Sequence, residues 1–306
     1  MVYKRFEELV EKCVKDPHKR TVAIAGGADE HVISAAIQAE DAGIIIPAFI
    51  GDADRIRAQL CSLGRNPVSY KIFHADTPQD CGETAVKLVK DGLADFIMKG
   101  MVDTRDVLKP LVKKENGMQT GRTMCIFAYH QVPQLNRLVV IADGGMIPYP
   151  TLEQKRDIVI NCVEAFHRLG IEKPSIAALA AAEKVSPKIV DTTDAQALAH
   201  MQQNGEISGC HIVGPISLDI AMSPQIAAQK KYDCPYCGDF DMMLVPNMSA
   251  GNMAGKAMIL CGGAKMAGVV VGAKVPVALT SRGASIEEKF VSLALASLMA
   301  DPKKTF

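Results

Sequence analysis

Short apolar runs alternate with amphipathic stretches along nearly all of the chain, and this beat constrains the fold more than any other feature. Thr21–Ala25, Ile44–Ile50, Ser69–Phe73 and Phe96–Met98 are short, rich in Ile, Val and Phe, and bounded by turn residues, which predicts buried strands. Between them Glu30–Ala42, Arg55–Leu63, Asp80–Lys90 and Thr104–Lys114 have the spacing of helices. Strands are expected again at Leu138–Ile141, Ile176–Leu179, Ile212–Val213, Met243–Val245 and Val275–Leu279. Helices at Leu152–Leu169, Asp194–Gln203, Asp219–Lys230, Asn252–Lys265 and Ile286–Met299 separate and follow them. A strand–helix alternation of this kind implies parallel-rich sheets covered by helices. At 306 residues, two α/β domains are the natural division, and the turn cluster from Asp143 to Pro150 lies near a junction. The expected domains are 1–137 with 274–306, and 138–273.

With 48% hydrophobic residues the chain can bury a full core, which excludes a disordered protein. Lys plus Arg equals Asp plus Glu, 34 against 34, so no global field draws nucleic acid or an anionic membrane. Trp is absent, which argues against a base-stacking platform. A local basic pocket for a small anion stays open. The first twenty residues are charged throughout and lack the apolar segment of a signal peptide. Nine scattered cysteines suit free thiols in a reducing, cytoplasmic compartment. Cys234-Pro-Tyr-Cys237 has no second pair to complete a zinc site and sits in a Pro/Gly/Asp-rich turn, so it reads as loop thiols.

In parallel α/β sheets ligands gather past the carboxyl ends of strands, so the residues after each strand carry the chemistry. Gly26-Gly27 after the first strand suits either a phosphate cradle or a tight turn, and no G-x-G-x-x-G or Walker pattern accompanies it. Lys99-Gly100, Thr104 and Lys109 suit an anion site, although helix capping alone explains Asp103 and Thr104. Arg282 falls between a strand end and a helix start at Ser285, which suits either bidentate oxyanion binding or a solvated loop. Ser285-Ile-Glu-Glu288 is a capping-box pattern that by itself explains Glu288. No His/Cys/Asp cluster at ligand spacing calls for a metal.

Five ordered stretches resemble the phosphate acetyltransferase/phosphate butyryltransferase family, over nearly the whole chain. They are Ile97-Met-Lys-Gly100 with Thr104; Ile141-Ala-Asp-Gly-Gly145 with Leu152-Glu-Gln-Lys155; Val213-Gly-Pro-Ile-Ser-Leu-Asp219; Asp239-Phe-Asp241 with Val245-Pro-Asn247 and Ala250-Gly-Asn252; and Val271-Gly-Ala-Lys-Val-Pro276 with Leu279-Thr-Ser-Arg282. The wording of the last stretch is closer to the butyryl branch, although Gly283-Ala284 stands where that branch usually has Ala-Asp. The resemblance implies two α/β domains of the isocitrate/isopropylmalate dehydrogenase type with the active site in the cleft between them. It implies transfer of a short-chain acyl group between coenzyme A and inorganic phosphate, with coenzyme A as substrate, no further cofactor and a homo-oligomeric assembly. By resemblance Ser281 lies near the coenzyme A sulfur, Arg282 holds phosphate, Glu288 takes the general-base position, and Lys109 stands where relatives carry an Arg. Lys99, Gly100, Thr104, Asp143, Asp219 and Asn252 are the remaining expected substrate contacts. The competing readings are a metal-dependent 2-hydroxy-acid dehydrogenase of the same general fold and a non-catalytic acyl-CoA-binding relative.

Overall fold

The computed structural model describes residues 3–135 and 137–301. The chain divides into two compact units. The first takes Phe6–Gly121 and Ala267–Phe306, and the second takes Met1–Arg5 and Arg122–Met266. The first unit runs α1 (Phe6–Lys15), β1 (Arg20–Ala25), α2 (Glu30–Asp41), β2 (Ile45–Gly51), α3 (Ala53–Ser62), β3 (Lys71–His74), α4 (Pro78–Lys90), β4 (Phe96–Lys99) and α5 (Thr104–Val112). The second unit follows with β5 (Cys125–Gln131), β6 (Leu138–Ala142), α6 (Leu152–Arg168), β7 (Ser175–Leu179), α7 (Val190–Gln203), β8 (His211–Ile216), α8 (Leu218–Met222), α9 (Pro224–Gln229), β9 (Met242–Leu244) and α10 (Met248–Leu260). The chain then returns to the first unit through β10 (Lys265–Val271), β11 (Val277–Ala278) and α11 (Ile286–Met299).

In the first unit the strands order as β3-β2-β1-β4-β11-β10, all parallel except β10, which pairs antiparallel with β11. In the second they order as β5-β6-β9-β7-β8, with β5 and β6 antiparallel and the rest parallel. The chain is therefore a mixed α/β fold. Strands such as Phe96–Lys99 and Leu138–Ala142 are buried at every position, as expected where both faces of a sheet are covered. Each fully buried Ile or Phe side chain there contributes roughly 1.5–3 kcal/mol of transfer free energy.

Four features depart from the alternation pattern. β5 and β10 each lead into the next strand without an intervening helix, so a template of one strand per helix passes over them. α1 is a charged amphipathic helix that buries only Phe6, Leu9 and Cys13. The helix expected across Asp219–Lys230 is two pieces, because Pro224 has no N–H for a continuous helix and Ser223 caps the second piece through the Ile226 N–H at 3.3 Å.

Candidate active site

β1, β4 and β11 are parallel neighbours, with Ala25 beside Lys99 and Met98 beside Ala278. Their carboxyl ends therefore leave the sheet on one side and bring three loops together. In the first loop, the N–H groups of Gly26 and Gly27 both donate to the Ile50 carbonyl, at 3.0 and 2.8 Å. Gly26 has φ +76, which favours glycine. The pair is a tight turn, with its donors already engaged. The loop after β4 closes against it: Gly100 N–H donates to Ala25 O at 2.8 Å, and Met101 N–H to Gly26 O at 3.0 Å. A Cβ on Gly100 would lie 2.3 Å from the Gly26 oxygen, so only glycine fits there.

Lys99, the last residue of β4, is 4% exposed, and its Nζ donates to Gly100 O and Val102 O at 3.2 Å each. Burial pushes its pKa down, and the charges of Arg282 and Lys289 push the same way. Asp103 holds the N-cap position of α5, but its side chain makes no cap bond. It pairs instead with Arg282, in the exposed loop after β11. The capping explanation of Asp103 is thus replaced by an ion pair joining two loops. Thr104 begins α5, and Lys109, in its last turn, lines a pocket of about 320 Å³ with Asp103, Arg105 and Asp106. Ser281 is exposed in a turn closed by the Ala284 N–H on its carbonyl at 3.1 Å. Glu288 forms the expected capping box: its N–H donates to Ser285 Oγ at 3.1 Å, and its Oε2 accepts from the Ser285 N–H at 2.9 Å. Lys289 escaped the sequence reading. It is 3% exposed and its Nζ donates to Ala284 O, and no sequence signal marked it, since it follows Glu287 and Glu288 in a charged first turn.

The remaining expected contacts lie in the second unit. Asp143 is 2% exposed, and its carboxylate accepts N–H groups from Ile126 (3.0 Å), Gly145 (3.3 Å), Met146 (3.0 Å) and Ile147 (2.7 Å). Burial raises its pKa against the pull of these four bonds. Asn252, exposed on α10, donates to Gly144 O at 3.3 Å, so it meets the loop that Asp143 organises. Asp219 belongs to another network, with Ser217 at 2.6 Å and Lys230 at 2.9 Å. The Ser217 hydroxyl and then the Lys230 ammonium lower its pKa to about 2. Asp241 is structural: buried, it accepts from Ser175 N–H at 2.8 Å and Oγ at 3.0 Å and pairs with Arg137. Cys234 and Cys237 are free thiols, and burial, then Cys234, push the Cys237 thiol up to about 11. Among the described residues no group of three or more His, Cys, Asp or Glu is placed to hold a metal, and no helix is long and apolar enough to cross a membrane.

Residues 74–297 match the family described as phosphate acetyl/butaryl transferase. The chain is 37% identical over 300 residues to phosphate butyryltransferase from Clostridium acetobutylicum, covering 98% of this chain and 99% of that protein. It is 37% identical over 297 residues to phosphate acetyltransferase from Thermotoga maritima, covering 96% and 99%. A crystal structure of a branched-chain phosphotransacylase from Enterococcus faecalis superposes with TM-score 0.80 at 31% identity, covering 92% of this chain and 98% of that one. A 4-hydroxythreonine-4-phosphate dehydrogenase from Burkholderia phymatum shares the fold at TM-score 0.54 and 16% identity, covering 91% and 99%. Matched along almost its full length, the chain belongs to the phosphate acetyl/butaryl transferase family.

Proposed function

We propose that the protein is an acyltransferase that moves a short-chain acyl group between coenzyme A and inorganic phosphate. The observation that carries this reading is Arg282 facing Asp103 beside the buried Lys99, on loops that follow parallel neighbouring strands. A phosphate can take the place of the Asp103 carboxylate on Arg282, because the planar guanidinium fork accepts either group. Thr104, at the start of α5, supplies a hydroxyl next to Asp103, and Lys109, in the last turn of α5, supplies a second cation on the pocket that Asp103 also lines. Gly100 keeps the backbone close enough for these groups to share one site.

In one direction the coenzyme A sulfur attacks the acyl phosphate carbonyl, the carbon–oxygen bond to phosphate breaks, and phosphate leaves into this cationic corner. In the other a phosphate oxygen attacks the thioester carbonyl and coenzyme A leaves. Charge gathers on the phosphate oxygens as they separate, and Arg282 with Lys109 stabilises it. Ser281 stands beside Arg282 to meet the sulfur. Glu288 uses Oε2 in its capping box and takes the thiol proton on Oε1. In the second unit Asp143 acts through the 144–147 loop that it holds, with Asn252 on the same loop, and Asp219 presents a carboxylate that stays ionised.

The isocitrate/isopropylmalate dehydrogenase-like architecture and its cleft are part of this proposal. They rest on the family resemblance and on the shared fold with a dehydrogenase. The same resemblance supports a homo-oligomer that uses coenzyme A as substrate, and the scattered free thiols support a cytoplasmic location. The test is thiol release from acyl-CoA esters of two to six carbons, with and without phosphate. Release is expected only with phosphate, and equal release without it would make the protein a thioesterase and sink the reading.

A further inference from the structure

Two buried ammonium groups flank the Arg282 loop without an anion of their own. Lys289 is in the first turn of α11, where the positive end of the helix disfavours a cation. It is 3% exposed and donates to the Ala284 carbonyl. Lys99 is 4% exposed and donates to two carbonyls of its own loop. Among the described residues neither forms an ion pair. The acids whose charge reaches Lys289 are Asp29 and Glu288. Asp29 accepts from the Val32 N–H as the cap of α2, Glu288 accepts from the Ser285 N–H, and Asp103 is held by Arg282. An ammonium has three N–H donors. Lys99 uses two and Lys289 one, which leaves three donors in a buried place. Buried charge and unfilled donors are expensive unless an anion meets them.

We infer that Lys289 is a positioning residue for the phosphate group of the substrate, forming with Lys99 a buried dicationic floor beneath the Ser281–Ala284 loop. Its bond to Ala284 O holds that loop, and its remaining donors face a dianion that Arg282 reaches from the exposed side. The inference rests on the proposed function, since it assigns the phosphate of that reaction to this floor.

The test is calorimetric binding of inorganic phosphate and of sulfate to the full chain, which needs no turnover. Steady-state kinetics accompany it. Losing a charged hydrogen-bond partner should weaken both anions about tenfold or more in Lys289→Met. The KM for phosphate should rise by the same factor while the KM for acyl-CoA stays within about twofold, and Lys289→Arg should recover part of the loss. Unchanged anion affinity in Lys289→Met overturns the inference. So does an equal rise in both KM values with a lower Tm, which would make Lys289 a mere strut.

Should Lys289→Met not fold, sulfate affinity is read in Lys109→Met, which lacks the exposed lysine of the site. Sulfate stays a dianion while the pH is raised from about 8 to about 10. Burial lowers the pKa of both Lys289 and Lys99 from the ordinary lysine value, so their charge is lost at a lower pH than that of a solvated lysine. Affinity should fall about tenfold or more toward the alkaline end. A flat profile overturns the inference. Failure of phosphate-dependent thiol release in the parent would instead strike the proposed function, whatever the anion affinity.

Discussion

Arg282 and Glu288 show how far a single side chain is defined by what already holds it. Arg282 could be read from sequence as a loop arginine or an oxyanion ligand; it lies exposed and pairs with Asp103, and the proposed function takes the second reading. Arg282→Lys keeps the charge but loses the fork. We expect the rate to fall by roughly 10²–10³ and the KM for phosphate to rise; near-normal kinetics would remove Arg282 from the site. Glu288 was legible as a capping residue, and the box is fully formed. A carboxylate is a much weaker base than a thiolate, so proton transfer to Glu288 is taken as concerted with attack. In Glu288→Gln the box survives but the base does not. The Tm should stay nearly constant while kcat falls on the order of 10²-fold. A fully active Gln variant, with Glu288→Ala losing roughly 1 kcal/mol of stability, would leave Glu288 as a cap alone. Lys289 was invisible because a lysine in a helix is ordinarily solvated, and only the packing of α11 shows it buried.

At the level of elements, the parallel strands and their helices were legible because each apolar run is followed by a helix that must cover it. β5 and β10 were not, since antiparallel pairing with β6 and β11 needs no crossover helix. Which strand ends adjoin was also beyond the sequence: β11 arrives beside β4 from the far end of the chain. The loops after β1 and β4 touch through glycines, immediately after Lys99 leaves the sheet. Gly100→Ala must push the two backbones apart, since its Cβ would meet Gly26 O at 2.3 Å. Overpacking of this kind should cost roughly 1–3 kcal/mol. Thermal unfolding with anion titration checks it: lower stability and weaker phosphate binding are expected, and a variant equal to the parent in both would show that the loops do not depend on this contact.

For the molecule as a whole, the order of five short motifs along the chain carried the family, and the match over residues 74–297 agrees. The motifs did not reveal which of their residues face substrate and which hold the backbone. Asp241 is engaged with Ser175 and Arg137, and Asp143 with four N–H groups. The Asp143 arrangement has a consequence for how the two units differ. A ring of converging N–H groups is a receptor for small anions. In the second unit the chain plugs that receptor with its own tethered carboxylate, whereas the Arg282 corner of the first unit is proposed to receive a guest that can leave. Cutting the tether should turn the plug into a ligand. In Asp143→Gly the ring loses its occupant, at about 1–3 kcal/mol for each N–H left unpaired. Free formate, a carboxylate without a chain, should then restore part of the Tm and the activity in a saturable way, and leave the parent untouched. No rescue at any formate concentration would mean that the loop needs its covalent link, and not merely the charge at its centre.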